Sequence, residues 1–379
     1  MPVEALFFYG TLRDPETLAT VLGPYAGEAQ IRPAQLPDVA VYRVRNEDYP
    51  IALPEEGATA TGLLVEGLSE EAKARLAFFE DEFDYALEPR AVHTDDGPRI
   101  ALVFIAHRDG MDADGLWDFD AWQRTHQPHF LWAARELMER YGTVPMEQCD
   151  ALWTGLRGRI LADWRASQEL QTPKLGTGLS RDTVEVTSTA RPYQHFFGVE
   201  EYVLRHPQFG GGQTNDLARA VFLMADAVTV LPWDPNRDEV LLIEQFRVSP
   251  FARGDAQPWL IECVAGRLDG VESPESAVRR EAHEEAGLEL TALEQVAAYY
   301  PSTGAVTEHV TSFIGCADLS QAGGTHGVES EGEDIRAFTL LFAEAEAAVA
   351  RGEIRAAPLI LSLYYLRLHH ARLMSAWST

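Results

Sequence analysis

The sequence has only two lysines, Lys73 and Lys174, and three cysteines in 379 residues. Nearly all its positive charge is therefore arginine. Cys149, Cys263 and Cys316 are odd in number and far apart, which excludes a disulfide framework and a cysteine-rich zinc site. No stretch approaches the roughly 18 uninterrupted apolar residues of a membrane helix, so no membrane partner is expected. Basic charge is scarce as well: 31 Lys and Arg stand against 59 Asp and Glu, a formal net charge of −28. Such a surface repels nucleic-acid phosphates, and no polynucleotide partner is expected. A small anionic substrate is not, because a bound cation dominates the charge of its own site. Met1 to Gly10 is acidic where a signal peptide would be basic, so a cytoplasmic location is expected. What is present is ordinary globular material, 46% hydrophobic and 24% charged, in a chain long enough to predict two domains.

Along the chain, residues 3–9 read as a strand stopped at Gly10, and Asp14 caps a helix with Pro15 at its first position. Short β patterns follow at Val39–Val44, Thr59–Val65, Ala91–Thr94 and Ile100–Ala106, with an acidic amphipathic helix at about Ser69–Phe79. Two helical patterns near Phe119–Tyr141 and Met146–Ser167 close this first α+β domain, residues 1–170. Pro173, Gly176 and Gly178 mark residues 171–189 as a linker to a second domain, residues 190–379. There strands are expected at Glu200–Leu204, Arg219–Leu231, Glu239–Gln245, Ala297–Tyr300 and Thr311–Ala317. Helices are expected at Pro274–Ala286 and, twice more, at the end of the chain.

The Pro274–Ala286 helix carries the most information. Ser273 can cap it, Pro274 fits its first turn, and Gly287 sits where a left-handed terminal residue belongs. At about 100° per residue, Glu281, Glu284 and Glu285 share roughly one third of the circumference. They repel one another at i,i+3 and i,i+4, and the helix dipole disfavours anions in its last turn. Arg280 can offset Glu284, yet the arrangement costs stability unless a hard divalent cation gathers there, and Mg²⁺ or Mn²⁺ fits oxygen ligands. A solvated acidic face is the ordinary alternative. Spacing decides against it: Gly266, Glu272, Arg280-Glu281, Glu284-Glu285, Gly287 and Leu288 match a pattern whose chance occurrence is on the order of one in a billion per start site.

This pattern resembles the Nudix box, and the resemblance extends over about residues 190–379. Ile243-Glu244-Gln245-Phe246-Arg247, Ile261–Gly266, Ser302–Glu308 and Glu331–Arg336 resemble ordered segments of the ADP-ribose pyrophosphatases within that superfamily. The resemblance implies a Mg²⁺- or Mn²⁺-dependent hydrolase of a nucleoside diphosphate linked to another moiety, ADP-ribose first, yielding AMP and ribose 5-phosphate. It implies that Glu281, Glu285, Glu333 and the carbonyl of Ala265 hold metal, with Glu284 orienting them, and that Glu331 is the general base. It implies that Arg247, Arg267, Ser302, Gly304 and Glu308 bind substrate. Phe196, Phe197 and Arg219 align with the segment that relatives use to cover the adenine end, often from the partner subunit, so a homodimer through this domain is implied. Thr303 stands where relatives commonly have proline, and Ala220 and Met224 where they carry charge, which bears on the nucleoside end. The chemistry also stands on its own: pyrophosphate hydrolysis requires charge neutralisation by metal ions and a carboxylate outside the metal shell to take the water's proton. Glu331 and Glu333 share a face of an extended segment and can divide those two tasks.

In the first domain, Phe7-Phe8-Tyr9-Gly10-Thr11-Leu12-Arg13, supported by Tyr49-Pro50 and by Leu76, Phe79, Glu80 and Tyr85, resembles the γ-glutamylcyclotransferase-like (AIG2-like) proteins over about residues 3–110. That family implies a glycine turn, Tyr9 to Leu12, that holds the substrate carboxylate. It implies a catalytic glutamate, Glu80, that moves the proton needed for an α-amine to attack a γ-carbonyl. Glu80 lies among Phe78, Phe79 and Phe83, the apolar setting that raises a carboxyl pKa toward neutrality. A non-catalytic docking role for this domain is the alternative. Taken together, the expected fold is an α+β, α-β two-domain chain. Its first half is a small mixed β-barrel-like γ-glutamylcyclotransferase-like fold with added helices, and its second half is a Nudix α/β/α sandwich.

Overall fold

The computed structural model describes all residues except 1–4, 46–48, 81–84, 107–112, 144–148, 169–174, 195–196, 269, 271, 328–331 and 379; side chains at 85–86, 106 and 149–156 are also outside the description. The chain divides into two units, Met1–Glu169 and Leu170–Thr379. No helix among the described residues is long and apolar enough to cross a membrane.

The first unit contains β1 (Leu6–Phe8), α1 (Pro15–Leu22), β2 (Gln30–Val44), β3 (Pro50–Glu66), α2 (Glu70–Glu80), β4 (Tyr85–Thr94), β5 (Gly97–Ala106), β6 (Ala113–Leu116), α3 (Phe119–Thr125), α4 (Gln127–Met138) and α5 (Cys149–Gln168). Five strands close into a barrel in the order β3-β1-β5-β4-β2 and back to β3, with β6 added beside β2. β1 runs parallel to β5 and every other pair is antiparallel. Alternation along β1 explains the layering: Phe7 and Tyr9 point into the barrel with Leu36, Leu64 and Val103, whereas Leu6 and Phe8 pack outward against the helices. Gly62 permits this, because a methyl group there would overlap the Phe7 ring.

The β2–β3 ribbon is far longer than the short patterns at Val39–Val44 and Thr59–Val65. Pro33, Pro37 and Pro54 mask its sequence signal. Its register shifts between Pro37 and Val39, where Asp38 adopts φ 56° and accepts a hydrogen bond from the Gly57 N–H at 2.9 Å. The single helix expected over Phe119–Tyr141 is two. Asp118 caps α3, and Pro128, which has no N–H to donate, falls in the first turn of α4.

Asp14 joins these layers. Its carboxylate caps α1 through the Thr17 N–H (2.8 Å) and hydroxyl (2.9 Å), and it accepts from Gln123 of α3 (3.0 Å) and Gln127 of α4 (3.4 Å). Burial pushes its pKa up, but these four donors outweigh burial and hold the carboxyl below its usual value. Asp14→Ala is expected to destabilise this unit by about 2–4 kcal/mol, combining a lost cap with two unpaired amides. In the parent protein the depressed pKa makes the carboxylate's contribution fully present above about pH 4 and lost as pH falls through the folded value. Urea unfolding of both proteins at pH 7 and pH 3 checks this: the gap between them should narrow in acid.

The second unit contains β7 (Glu185–Gln194), β8 (Gly198–Arg205), β9 (Leu217–Leu223), β10 (Ala227–Asp234), β11 (Glu239–Phe246), α6 (Val248–Arg253), β12 (Trp259–Glu262), β13 (Val264–Arg267), α7 (Pro274–Ala286), β14 (Ala292–Tyr299), β15 (Val310–Cys316), β16 (Gly324–His326), β17 (Ile335–Leu341), α8 (Phe342–Arg351) and α9 (Ala357–Trp377). β7 starts at Glu185, inside the stretch expected as linker, because Glu185–Gln194 pairs with β8. The single strand expected over Arg219–Leu231 is divided at Met224–Asp226, where the chain leaves the three-stranded β7-β8-β9 sheet and enters the larger one. That sheet runs β14-β15-β10-β11-β17-β16. β10 and β11 part beyond their hairpin to admit β13, paired with β10, and β12, paired with β11. Alternate residues build two cores. Val228, Val230, Leu241 and Ile243 meet Ala277, Val278, Ala282 and Ala286 of α7. Leu231, Trp233, Val240 and Leu242 meet α8 and α9.

Candidate active site

The caps of α7 form as the sequence predicts. The Ser273 hydroxyl accepts the Ser276 N–H (3.2 Å), Pro274 opens the helix, and Gly287 closes it at φ 63° with its N–H on the Ala282 and His283 carbonyls. Packing of Ala277, Val278 and Ala282 on the sheet turns Glu281 and Glu285 toward β13. Glu285 is 3% exposed, and its Oε2 accepts the Ala265 N–H at 3.0 Å. Glu281 lies against the backbone of the next residue, Gly266, where any Cβ would overlap its carboxyl. The first glycine of the box is thus a steric requirement of its first helical glutamate. Gly266→Ala should displace that carboxylate by about an ångström and lower kcat/KM by ~10²-fold. An unchanged rate in that variant would remove Glu281 from the reacting centre.

Burial raises the Glu285 pKa to about 8. The neighbouring Glu281 and Glu333 charges add to this, while the Ala265 hydrogen bond and Arg247 oppose it. Arg280 holds the rest of the cluster: one Nη bonds Glu281 (2.7 Å) and Glu284 (3.0 Å), the other Glu272 (2.9 Å) and the Arg267 carbonyl (3.1 Å). Glu284 is the outermost of the three, with its side chain 40% exposed. The donor set is all oxygen and all hard, which suits Mg²⁺ or Mn²⁺. Among the described residues no three acid, imidazole or thiol groups stand ready as a metal cage. Glu285 is engaged by an amide and Glu281 by a guanidinium.

Of the other expected residues, Arg247, Arg267 and Glu308 are linked electrostatically at this end of the sheet, Arg247 reaching Glu285 as well. Arg247 follows β11 and pairs through Nε with Glu262 of β12 at 2.7 Å, and its charge reaches both Glu285 and Glu308. Burial raises the Glu308 pKa; Arg267 opposes this, Asp226 adds to it, and Arg247 opposes it. Ser302 and Gly304 lie in a turn in which the Ser302 carbonyl accepts the Ala305 (3.2 Å) and Val306 (3.1 Å) N–H groups. The turn is latched to β9: Phe222 N–H donates to the Ala305 carbonyl (2.8 Å), Thr307 N–H to the Phe222 carbonyl (3.0 Å), and Met224 N–H to the Thr307 hydroxyl (2.8 Å). Phe197 packs edge-to-face on Phe222 at 5.4 Å, one ring from that turn. Arg219 is exposed on β9, its guanidinium on the Ala218 carbonyl at 2.8 Å. Glu331 and Phe196 lie outside the described residues. The sequence reading missed Glu262 and the Phe222–Thr307 latch, which are pairings between segments distant in the chain, and the reach of Arg280 back to Glu272.

The first unit holds a separate cavity of about 30 Å³ lined by Phe7, Phe8, Tyr9–Leu12, Tyr49, Pro50, Glu80 and Phe104. Here the structure brings the Tyr9–Leu12 turn together with Glu80 at the end of α2. Gly10 allows Pro50 to close one wall, since a Cβ there would sit 3.0 Å from the Pro50 ring. Glu80 is 8% exposed, and burial alone lifts its pKa to about 8. Burial and the Glu80 charge push the Tyr9 phenol above its usual range, against a hydrogen bond from the Ala52 backbone. The expected Phe83 falls outside the described residues.

Comparison with known proteins bears on both sites. Residues 6–124 match the family model for gamma-glutamyl cyclotransferase, AIG2-like, and residues 223–362 match the NUDIX domain. The chain is 35% identical over 209 residues to the ADP-ribose pyrophosphatase of Escherichia coli strain K12, covering 55% of this chain and 100% of that protein. The chain belongs to the Nudix hydrolases. The ADP-ribose pyrophosphatase of Haemophilus influenzae is 30% identical over 200 residues, 52% of this Nudix hydrolase and 92% of the relative. A GDP-mannose pyrophosphatase of Escherichia coli O1:K1 / APEC is 37% identical over 153 residues, 40% of this chain and 78% of the relative. This Nudix pyrophosphohydrolase carries, ahead of its Nudix domain, the unit that matches the AIG2-like model. The Nudix match contains α7, the 302–308 turn and Glu333; the AIG2-like match contains Tyr9–Leu12 and Glu80.

Proposed function

We propose that this Nudix hydrolase cleaves ADP-ribose to AMP and ribose 5-phosphate, with Mg²⁺ or Mn²⁺ held by Glu281, Glu285, Glu333 and the Ala265 carbonyl. The observation that carries the reading is the inward-facing carboxylate pair of α7 seated on Ala265 and Gly266. A divalent ion bound there supplies charge neutralisation for the phosphoryl oxygens and acidifies water. The chain's own groups do the rest. Among the described residues only the Nε of Arg247 is engaged, by Glu262, so its Nη edge can take two non-bridging phosphoryl oxygens side by side. Glu331 takes the proton of the attacking water as the P–O–P bond breaks. The latched 302–308 turn orients the substrate against Glu308 and Arg267, Glu284 keeps Arg280 in place, and Phe197 with Phe196 and Arg219 covers the base.

We read the unit as the α/β/α sandwich of this family, which the cores on both faces of its sheet support. It assembles as a homodimer through the β7-β8-β9 sheet, where Val186, Tyr193 and Phe222 are exposed on one small sheet. The test is a substrate panel on the full chain with Mg²⁺, reading AMP, GMP, phosphate and 5-oxoproline together. ADP-ribose should give the highest kcat/KM. A higher value for GDP-mannose, or no AMP from ADP-ribose, overturns the substrate assignment.

Glu80 favours a second activity. A buried carboxyl near pH 8 beside a glycine turn suits a γ-glutamylamine cyclotransferase, in which the α-amine attacks the γ-carbonyl and the amine leaves with the proton. A docking module has no use for an uncompensated buried acid.

A further inference from the structure

Gln245 is 7% exposed, and its Nε2 is fully enclosed with no hydrogen-bond acceptor. A buried amide donor left unmade is a cost that native structures rarely carry without a reason. Its position suggests the reason. Leu241 and Ile243 of β11 point into the core beneath α7, so Gln245, two residues on, faces the same side. It is the penultimate residue of β11, two before Arg247, and pairs with Leu260 of β12. On its other flank Glu244 pairs with Arg336 of β17, the last pair of that ladder, and Ile335 comes immediately before Arg336 in the chain. Ile335 also faces α7, and Glu333 lies two residues before it. Gly327, at φ 111°, passes close to that segment, since a Cβ there would come within 2.8 Å of the Glu333 Cβ. The Glu333 charge is felt at Glu285, so the two carboxylates are within electrostatic reach of each other.

We propose that Gln245 is a positioning residue of the Nudix site, its Nε2–H donating to the Glu333 carboxylate when that carboxylate turns to hold the divalent ion. The inference rests on Glu333 being a metal ligand. Partners that orient ligating carboxylates typically change metal affinity by about 10–100-fold when removed.

The experiment measures Mn²⁺ affinity of the full chain by electron paramagnetic resonance, and melting temperature without metal, for Gln245→Met and Glu333→Gln. Gln245→Met keeps the volume and removes the donor. It should weaken Mn²⁺ binding by ~10-fold or more while melting no lower than the parent in the absence of metal, because an unpaired donor has been deleted. Unchanged Mn²⁺ affinity in Gln245→Met, alongside weakened affinity in Glu333→Gln, overturns the proposal and leaves the metal reading intact. Unchanged affinity in Glu333→Gln overturns the metal reading itself. A raised KM for ADP-ribose with normal Mn²⁺ affinity in Gln245→Met would assign the donor to the substrate and also overturn the proposal. A lowered metal-free melting temperature would show a packing role in place of the one proposed.

Discussion

Glu285→Gln is expected to lower turnover of the nucleoside diphosphate substrate by about 10³-fold or more, the scale set by removing an electrostatic clamp from a transferring phosphoryl group. Glutamine has nearly the volume of glutamate, so the hydrogen bond from the Ala265 N–H can persist and the helix face stays filled. What disappears is the charge, and in the metal-free protein that charge is a liability. Burial, reinforced by Glu281 and Glu333, holds the Glu285 carboxyl well above its ordinary range. The variant should therefore melt no lower than the parent without metal. Added Mg²⁺ should raise the parent's melting temperature, by mass action on the folded state, and leave the variant's nearly unmoved. Calorimetry with and without Mg²⁺ separates the two effects. A variant that keeps both its rate and its Mg²⁺-dependent shift would show that the anions of α7 serve Arg280 alone.

How much of this was legible in the sequence follows from how local each signal is. The bounds of α7 came out as expected because Ser273, Pro274 and Gly287 fix them by short-range hydrogen bonds and one left-handed residue. The crowding of Glu281, Glu284 and Glu285 follows from helical geometry and was equally readable. Where those carboxylates land was not. That Glu285 meets Ala265 and Glu281 meets Gly266 depends on β13 entering between β10 and β11, a long-range pairing with no local signature. The same holds for Arg247 with Glu262, and for the Phe222–Thr307 latch that steadies the serine–glycine turn. The barrel was legible only in outline. Prolines inside β2 and β3 break their alternation, and the closing contact of β2 with β4 is a single register pair, Gln35 with His93. Gln245 could be read as part of a segment resembling the family, but only burial shows that its donor lacks a partner.

Glu80→Gln is the corresponding test of the first unit, and it should change two quantities in opposite directions. Cyclotransfer needs a group that removes a proton from the attacking amine and returns one to the leaving amine. A carboxyl near pH 8 can do both at neutral pH, and its loss typically costs 10²–10⁴-fold. Release of 5-oxoproline from a γ-glutamylamine should fall by that factor in the full chain, with AMP release from ADP-ribose unaltered. Stability should move the other way. Burial lifts the folded carboxyl's pKa to about 8 from an ordinary 4.5, so the folded state holds its proton more tightly than the unfolded chain does. Its contribution is therefore fully present below the unfolded value and declines as pH rises through the folded one, a loss on the order of a few kcal/mol. Glutamine cannot ionise and removes that decline. Calorimetric unfolding should thus show parent and variant nearly matched at about pH 5 and the variant more stable at about pH 9. A variant that stays as alkali-sensitive as the parent would mean that Glu80 opens to water in solution. The acid beside Tyr9 would then be a surface group, and the cyclotransferase reading would lose the one observation that distinguishes it from a docking module.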